Sequence, residues 1–260
     1  MKGKSTVEQI FNLRSIIEKY QEHQQELFHV FVDFKKAFDR VWHQALWATM
    51  NKYNINKTLI SLIEELYNQA TSSVYLEGDF GEWFRTTVGV RQGCLLSPTL
   101  FNIFLERIMT DALEGHEATV SIGGRTVSNL RFADDIDGLA GSEAELADLI
   151  RRLNESCSDY GMEISAEKTK IMTNSHANGL QNQITINGSI LQHVNQLSIL
   201  VGALVTDHGS KSEILSRLAK AQSSLSELKL VWEDKKISIS SKIRLFRSMV
   251  ISIFLYACES

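Results

Sequence analysis

The sequence has few cysteines, the residues whose disulfides stabilise small secreted proteins. It also has no apolar segment of the length that is typical of membrane proteins. Its 260 residues include only three cysteines, Cys94, Cys157 and Cys258, without Cys-x-x-Cys or Cys/His ligand spacing. We therefore expect a reducing, intracellular setting, with neither a disulfide scaffold nor a zinc site. The longest apolar run, residues 249–258, is interrupted by Ser252 and is too short to cross a bilayer. We interpret this run as a buried helix and expect no membrane partner.

Proline is also scarce, and basic residues do not outnumber acidic ones. The chain has one proline, and its glycines do not cluster, so no flexible linker is predicted. The net charge of −4 does not indicate a nucleic-acid-binding protein, although a local basic groove can bind phosphates whatever the total charge. Lysine and arginine do cluster within residues 35–40, 168–170 and 235–247. Solvated helix faces explain these clusters as well as phosphate contacts do.

The sequence does contain enough apolar residues for a sizeable core. Apolar residues make up 43% and charged residues 22%, which is typical of a folded soluble chain. Helices are predicted at 5–23, 38–46, 59–67, 97–113, 142–161, 211–230 and 238–258, a strand at 27–32, and hairpins at 73–88, 130–140 and around 187–188. Because strands and helices do not alternate regularly, we predict an α+β fold, with a small antiparallel sheet backed by helices.

Two adjacent acids, Asp134 and Asp135, lie between the apolar runs 130–133 and 136–140. This pattern predicts a hairpin with carboxylates at its bend, and a third acid, Asp33, directly follows the predicted strand. Strand ends that meet in one sheet can bring three carboxylates together. Their mutual repulsion is relieved by water in an ordinary solvated turn, or by cations in a metal site. Two clamped metal ions suit in-line displacement at phosphorus.

Four segments, in this order, resemble motifs A to D of reverse transcriptases. They are residues 31–39 (FVDFKKAFD), 89–98 (GVRQGCLLSP), 132–135 (FADD) and 161–170 (GMEISAEKTK). The sequences of these motifs are most similar to those of the non-LTR (LINE-type) retrotransposon branch. The resemblance implies a right-hand polymerase palm with partial fingers and thumb. It also implies RNA-directed DNA synthesis, in which a dNTP is joined to a primer 3′-OH on an RNA template.

The resemblance implies a metal-binding role for the three acids. Asp33, Asp134 and Asp135 match the residues that hold two Mg²⁺ ions, which Mn²⁺ can replace, and Asp33 and Asp134 match the essential pair. The backbone carbonyl of Phe34 matches an additional ligand. Lys168 matches the lysine that protonates the leaving pyrophosphate, although a surface lysine is nearly as plausible at this position.

Other residues match positions that contact the incoming nucleotide. Phe38 resembles the bulky gate that excludes a ribose 2′-OH, although it also lies on the apolar face of the predicted helix. Gln92 and Gly93 resemble the pair beside the nucleotide and the template base, where a glycine lets the backbone approach closely. We interpret Asp39 and Asp137 as structural residues.

The resemblance divides the chain into three parts: 1–26 as a residual fingers or connecting helix, 27–195 as the palm, and 196–260 as the grip and the start of the thumb. The grip segment, residues 197–202, lacks the expected aromatic residues and carries an extra residue. Basic fingers residues and an endonuclease domain are not found. An inactive, truncated or domesticated remnant that at most binds nucleic acid is therefore the alternative. A two-metal nuclease or phosphatase explains the acids but not residues 89–98.

Overall fold

The computed structural model describes residues 6–174, 182–194, 196–199, 203–206 and 210–256. The α-helices are α1 (Thr6–Glu22), α2 (His43–Lys52), α3 (Lys57–Asn68), α4 (Ser97–Leu113), α5 (Glu143–Asp159), α6 (Ser210–Glu227), α7 (Lys229–Glu233), α8 (Ile239–Leu245) and α9 (Ser252–Leu255). A 3₁₀ helix covers Ala37–Arg40, and a π-helix covers Phe246–Ile251. Within the described ranges, none of the helices has the length and apolarity needed to traverse a lipid bilayer.

The strands are short. They are β1 (Phe28–Val32), β2 (Thr71–Ser72), β3 (Tyr75–Leu76), β4 (Asp79–Phe80), β5 (Phe84–Arg85), β6 (Ser121–Ile122), β7 (Arg125–Thr126), β8 (Asn129–Phe132), β9 (Asp135–Ala140), β10 (Lys170–Thr173), β11 (Thr185–Ile186), β12 (Ser189–Ile190), β13 (Gln192–His193), β14 (Gln196–Ile199) and β15 (Ala203–Thr206). Five of them form one sheet in the order β13-β10-β1-β9-β8. The others pair two by two.

Contacts divide the chain into two compact units. One unit comprises Val30–Lys170 and Leu180–Gln192, and it contains every residue that we predict for the site. The other comprises Met1–His29, Ile171–Gly179 and His193–Ser260. The division into 1–26, 27–195 and 196–260 rests on motif positions and stays a prediction.

The larger unit is built on β1, β9 and the helices α4 and α5. The sequence of β1, FHVFV, is buried along its whole length, as we predicted for this strand. The helix predicted at 97–113 is confirmed, and it buries one broad apolar face: Leu100, Phe101, Phe104, Leu105, Ile108, Met109 and Ala112. Gly138 on β9 allows the close approach of α5. A Cβ there would lie 2.8 Å from Val30 Cγ1 and 3.0 Å from Leu149 Cδ2.

One predicted helix cap and one predicted hairpin turn are observed in the structure. Ser142 Oγ accepts a hydrogen bond from Glu145 N at 3.2 Å, which caps α5 as the sequence predicts. The Glu145 carboxylate accepts from Gly141 N at 3.0 Å and not from the Ser142 amide, so only half of the predicted capping box forms. Asn187 and Gly188 both have positive φ, at 49° and 78°, between the paired strands β11 and β12. This is the type I′ pattern of a two-residue hairpin turn.

The continuous helix predicted at 38–46 is wrong. The structure has the 3₁₀ helix up to Arg40, extended backbone at Val41 and Trp42, and only then α2. The cause is the loop before α4, because Val90 N donates to Phe38 O at 2.7 Å and Gly89 N donates to Val41 O at 2.8 Å. Because Trp42 also forms an antiparallel bridge with Val88 of this loop, the backbone at Val41 and Trp42 is held extended and the helix is interrupted there.

The hairpin predicted at 73–88 is only partly right. We expected residues 74–76 to pair with 83–85 around a loop at 78–81. Instead, β3 pairs with β4 around a two-residue turn, and β5 pairs with β2. The turn at Glu77 and Gly78 has positive φ at both residues, which allows a tighter hairpin than the one expected.

The smaller unit contains α1 and the helices after residue 210. Ile10 on α1 is fully buried, and Val7 and Tyr256 pack against it. The buried helix expected at 249–258 is wrong for the described residues, because Val250 is buried but Met249, Phe254 and Leu255 are exposed. In the grip segment, β14 and β15 pair with Ile199 opposite Ala203. Residues 200–202 of the grip segment lie outside the described ranges, so the extra residue in this segment stays a prediction.

Candidate active site

The three predicted acids lie at one end of two neighbouring strands. Asp33 directly follows β1, and Asp135 is the first residue of β9, which is the neighbour of β1 in the sheet. Asp134 occupies the second position of the two-residue turn between β8 and β9. The first position is Ala133, whose φ of 55° costs a residue with a Cβ about 1 kcal/mol. The hairpin with carboxylates at its bend is confirmed, and its backbone is strained there.

The electrostatics show that the three carboxylates are close to one another. The pKa of Asp135 is raised, first because the carboxyl is partly buried and then because the charges of Asp134 and Asp33 lie nearby. Both causes disfavour a third negative charge at this point. Across the described ranges, no group of three His, Cys, Asp or Glu side chains is arranged as a ready-made metal site.

Asp33 has one buried carboxylate oxygen, which lies beside a lysine. Its Oδ1 is buried and accepts no hydrogen bond, and the Nζ of Lys168 lies 3.5 Å away. The Lys168 ammonium partly compensates the charge of this desolvated carboxylate oxygen, and a bound divalent cation would compensate it further. Carboxylate oxygens are the ligands that Mg²⁺ prefers. A divalent cation beside Asp33 would have Asp134 and Asp135 as the neighbouring carboxylates.

The backbone of Asp33 is held by the segment that resembles motif D. Ser165 N donates to Asp33 O at 2.8 Å, and Asp33 N donates to Thr169 Oγ1 at 3.2 Å. Phe34 forms an isolated antiparallel bridge with Ile164. The structure thus places the predicted acid beside the predicted lysine, because Lys168 immediately precedes Thr169. The sequence analysis did not identify Ser165 and Thr169 as site residues. Their only signal in the sequence is that they lie within the segment that resembles motif D.

Glu163 forms ion pairs with two basic residues of the cluster 35–40. Lys35 Nζ contacts Glu163 Oε1, and Arg40 Nη2 lies 2.7 Å from Glu163 Oε2. The hydrogen bond from Lys35 and the charges of both bases lower the pKa of Glu163. Lys35 and Arg40 are therefore already paired with protein, and this cluster is less available to phosphates than its composition indicates.

Phe38 and Phe34 occupy different environments. The half-buried ring of Phe38 stacks on buried Phe101, with centroids 4.6 Å apart and planes 15° apart. This contact holds the ring in a defined orientation. The Phe34 side chain is buried, so only its backbone carbonyl is a candidate ligand.

Gln92 and Gly93 lie in the exposed loop before α4. Gln92 Nε2 donates to Asp39 Oδ1 at 3.1 Å, which links this loop to the 3₁₀ helix. Gly93 has a φ of 82°, and a Cβ there would meet no atom within 4 Å. Space above the backbone is what a close approach by a ligand requires. Asp137 is buried on β9, and the structural role that we expect of Asp39 and Asp137 stays a prediction.

The chain belongs to the reverse transcriptase family. Residues 1–201 match the family model described as "Reverse transcriptase (RNA-dependent DNA polymerase)". The RNA-directed DNA polymerase from mobile element jockey of Drosophila funebris is 25% identical over 236 residues, 88% of this chain and 25% of that protein. Its Drosophila melanogaster counterpart is 21% identical, over 98% of this chain and 28% of that protein. The Pol polyprotein of the retrotransposable element R2DM is 26% identical over 59% of this chain and 14% of that protein.

These relatives confirm the resemblance to the non-LTR retrotransposon branch. The chain spans about a quarter of the length of the jockey polymerases. Among solved structures, apo telomerase from Candida tropicalis truncated from its C-terminal domain has a TM-score of 0.55 at 21% identity, over 77% of this chain and 38% of that chain. Telomerase from Candida tropicalis in complex with a fragment of telomeric RNA has a TM-score of 0.54 at 19% identity, over 97% and 41%. The α+β, right-hand polymerase fold is confirmed.

Proposed function

We propose that this chain is the palm of an RNA-directed DNA polymerase, which joins a dNTP to the 3′-OH of a DNA primer. The observation that carries the proposal is the convergence of Asp33, Asp134 and Asp135 at one sheet end, where partial burial and then the charges of Asp134 and Asp33 raise the pKa of Asp135. Polymerase relatives carry the same family signature. Nucleotidyl transfer is the reaction that such a carboxylate cluster supports in this fold.

The three acids would hold two Mg²⁺ ions, with Mn²⁺ as a substitute and the Phe34 carbonyl as a further ligand. Bound there, the cations would activate the primer hydroxyl and neutralise charge on the leaving pyrophosphate. Asp33 brings a buried oxygen that accepts no hydrogen bond. Asp134 is exposed at the second position of a strained turn, where its carboxylate is accessible to solvent ions.

The remaining site residues would bind and orient the substrates. Phe38, held by its stacking on Phe101, would exclude a ribose 2′-OH from the nucleotide site. Gln92 and Gly93 would line the site for the nucleotide and the template base. Lys168, which is exposed and adjacent to Asp33, would donate a proton to pyrophosphate.

The proposed partners are an RNA template, a DNA primer and dNTPs. Support for RNA comes from the relatives named as RNA-directed polymerases and from the telomerase that was solved with a telomeric RNA fragment. Those descriptions apply to the other proteins, and the partners of this chain are part of the proposal.

One observation favours the second candidate, a catalytically silent remnant. Lys35 and Arg40 are both paired with Glu163, which lowers the positive charge that the basic cluster beside Asp33 offers to phosphates. A remnant of this kind would bind nucleic acid weakly or not at all.

Primer extension on an RNA template tests the proposal. The native chain should extend a labelled DNA primer with dNTPs and Mg²⁺, and Asp134→Asn should abolish extension. Extension that persists in Asp134→Asn would refute the assigned acids. Absence of extension from folded native protein would favour the remnant, and template hydrolysis without extension would favour a nuclease.

A further inference from the structure

Asp33 lies beyond the last residue of β1, so the hydrogen bonds that hold its backbone come from elsewhere. Its carbonyl accepts from Ser165 N at 2.8 Å, and its amide donates to Thr169 Oγ1 at 3.2 Å. Thr169 N also donates to Ser165 O at 2.8 Å, which closes the turn 165–169 on itself. Both backbone polar groups of Asp33 are thus satisfied by one turn.

The two partners differ in what they contribute. The bond from Ser165 uses only backbone atoms, so any residue at position 165 other than proline can make it. The bond to Thr169 needs a side-chain oxygen. The Thr169 side chain is fully buried, and a branched side chain in such a site has few accessible rotamers. Its hydroxyl is therefore a fixed acceptor for the amide of Asp33.

The same turn carries Lys168, whose Nζ lies 3.5 Å from Asp33 Oδ1. The ion pairs of Glu163 with Lys35 and Arg40 link neighbouring residues, but they involve exposed side chains, and such pairs contribute little. Thr169 is the buried side chain that contacts Asp33 directly and also stands next to the predicted proton donor.

We propose that Thr169 is a positioning residue, whose buried hydroxyl fixes Asp33 so that its carboxylate can bind a divalent cation. The inference rests on the proposed function, because it takes Asp33 as a cation ligand. Thr169 touches neither the cation nor a substrate. Residues that orient metal ligands in this way are needed for full metal affinity.

Mn²⁺ binding separates this role from a merely structural one. We would titrate the full chain with Mn²⁺ and follow the free ion by electron paramagnetic resonance, beside the thermal unfolding midpoint of each variant. Thr169→Val keeps the shape of the side chain and removes the hydroxyl. Its Mn²⁺ affinity should fall about 10- to 100-fold. Thr169→Ser keeps the hydroxyl and should bind Mn²⁺ like the native chain, even where its midpoint falls.

Thr49→Val is the matched control, because Thr49 is also buried but lies on α2. Its Mn²⁺ affinity should not change. Native affinity in Thr169→Val, or weakened affinity in a folded Thr169→Ser, would overturn the inference. If Thr169→Val does not fold, the Thr169→Ser result decides alone. Asp33→Asn tests the proposed function itself. Native Mn²⁺ affinity in that variant would refute the cation site, and not only the positioning role of Thr169.

Discussion

Asp135 is a carboxylate whose ionised form the fold disfavours. Partial burial and the charges of Asp134 and Asp33 raise its pKa, so the folded chain binds this proton more tightly than the unfolded chain does. The stability gained from the bound proton is complete below the ordinary aspartate pKa of about 3.9 and is lost as the pH rises through the raised folded-state value. At neutral pH and without metal, the ionised carboxylate therefore destabilises the fold.

Replacing Asp135 with asparagine should remove this penalty. We expect Asp135→Asn to unfold at a higher temperature than the native chain at pH 7 in metal-free buffer, and the two midpoints to converge toward pH 4. Thermal unfolding followed by circular dichroism between pH 4 and pH 8 measures both curves. Curves that stay parallel over this range would show that Asp135 is not destabilised by its neighbours.

Phe38 tests the nucleotide selectivity that we assign to its ring. Phe38→Ala should lower the preference for dNTPs over rNTPs by about tenfold or more, because the ring no longer blocks the 2′-OH. Loss of stacking on Phe101 should also cost about 2 kcal/mol of stability. Single-nucleotide incorporation with each substrate measures the ratio. Phe38→Tyr keeps the ring and is the control; unchanged selectivity in folded Phe38→Ala would contradict the gate.

At the scale of elements, β1, β9 and α5 meet with no room for a side chain between them. A Cβ on Gly138 would lie within 3.0 Å of both Val30 and Leu149, and the branched Val30 side chain cannot easily turn away. We expect Gly138→Ala to destabilise the chain by about 1–3 kcal/mol. Urea unfolding measures the loss. Gly81→Ala is the control, since a Cβ there meets its nearest atom at 3.4 Å, and an equal loss in both variants would contradict the packing argument.

Elements governed by local pattern were predictable from the sequence. The apolar run of β1, the Asn187-Gly188 turn and the Ser142 cap of α5 depend on residues close together in the chain, and the structure confirms each. The acidic hairpin belongs with them, because two apolar runs around a polar pair define its register.

Elements governed by distant contacts were not predictable. The break before α2 arises from backbone bonds to Gly89 and Val90, some fifty residues away in the chain, and periodicity carries no record of such bonds. The hydrogen bond from Asp33 N to Thr169 Oγ1 spans 136 positions in the chain, and no sequence pattern indicates it. For the candidate site, the sequence therefore predicted the acids but not the turn that holds Asp33.

At the scale of the whole molecule, the chain exposes a contiguous aromatic surface on the hairpin β3–β4. Tyr75, Phe80 and Trp83 are each more than 60% exposed, and neighbouring ring centroids lie 4.8 and 5.9 Å apart. Apolar surface of this kind favours association. The chain also spans about a quarter of the jockey polymerases, so activity measurements depend on how much of the polymerase this chain provides.

Cation binding tests the central claim most directly, because it needs only the three acids of this chain. At about 100 times its Kd, Mg²⁺ should stabilise the native chain by about 2.7 kcal/mol, which raises its unfolding midpoint by roughly 5–10 °C. Asp134→Asn should fold normally in metal-free buffer, since it relieves repulsion, and should lose most of this shift. Asp79→Asn, on the distant strand β4, should keep it. An equal Mg²⁺ shift in all three proteins, or no shift in the native chain, would contradict the claim that these acids form a divalent-cation site.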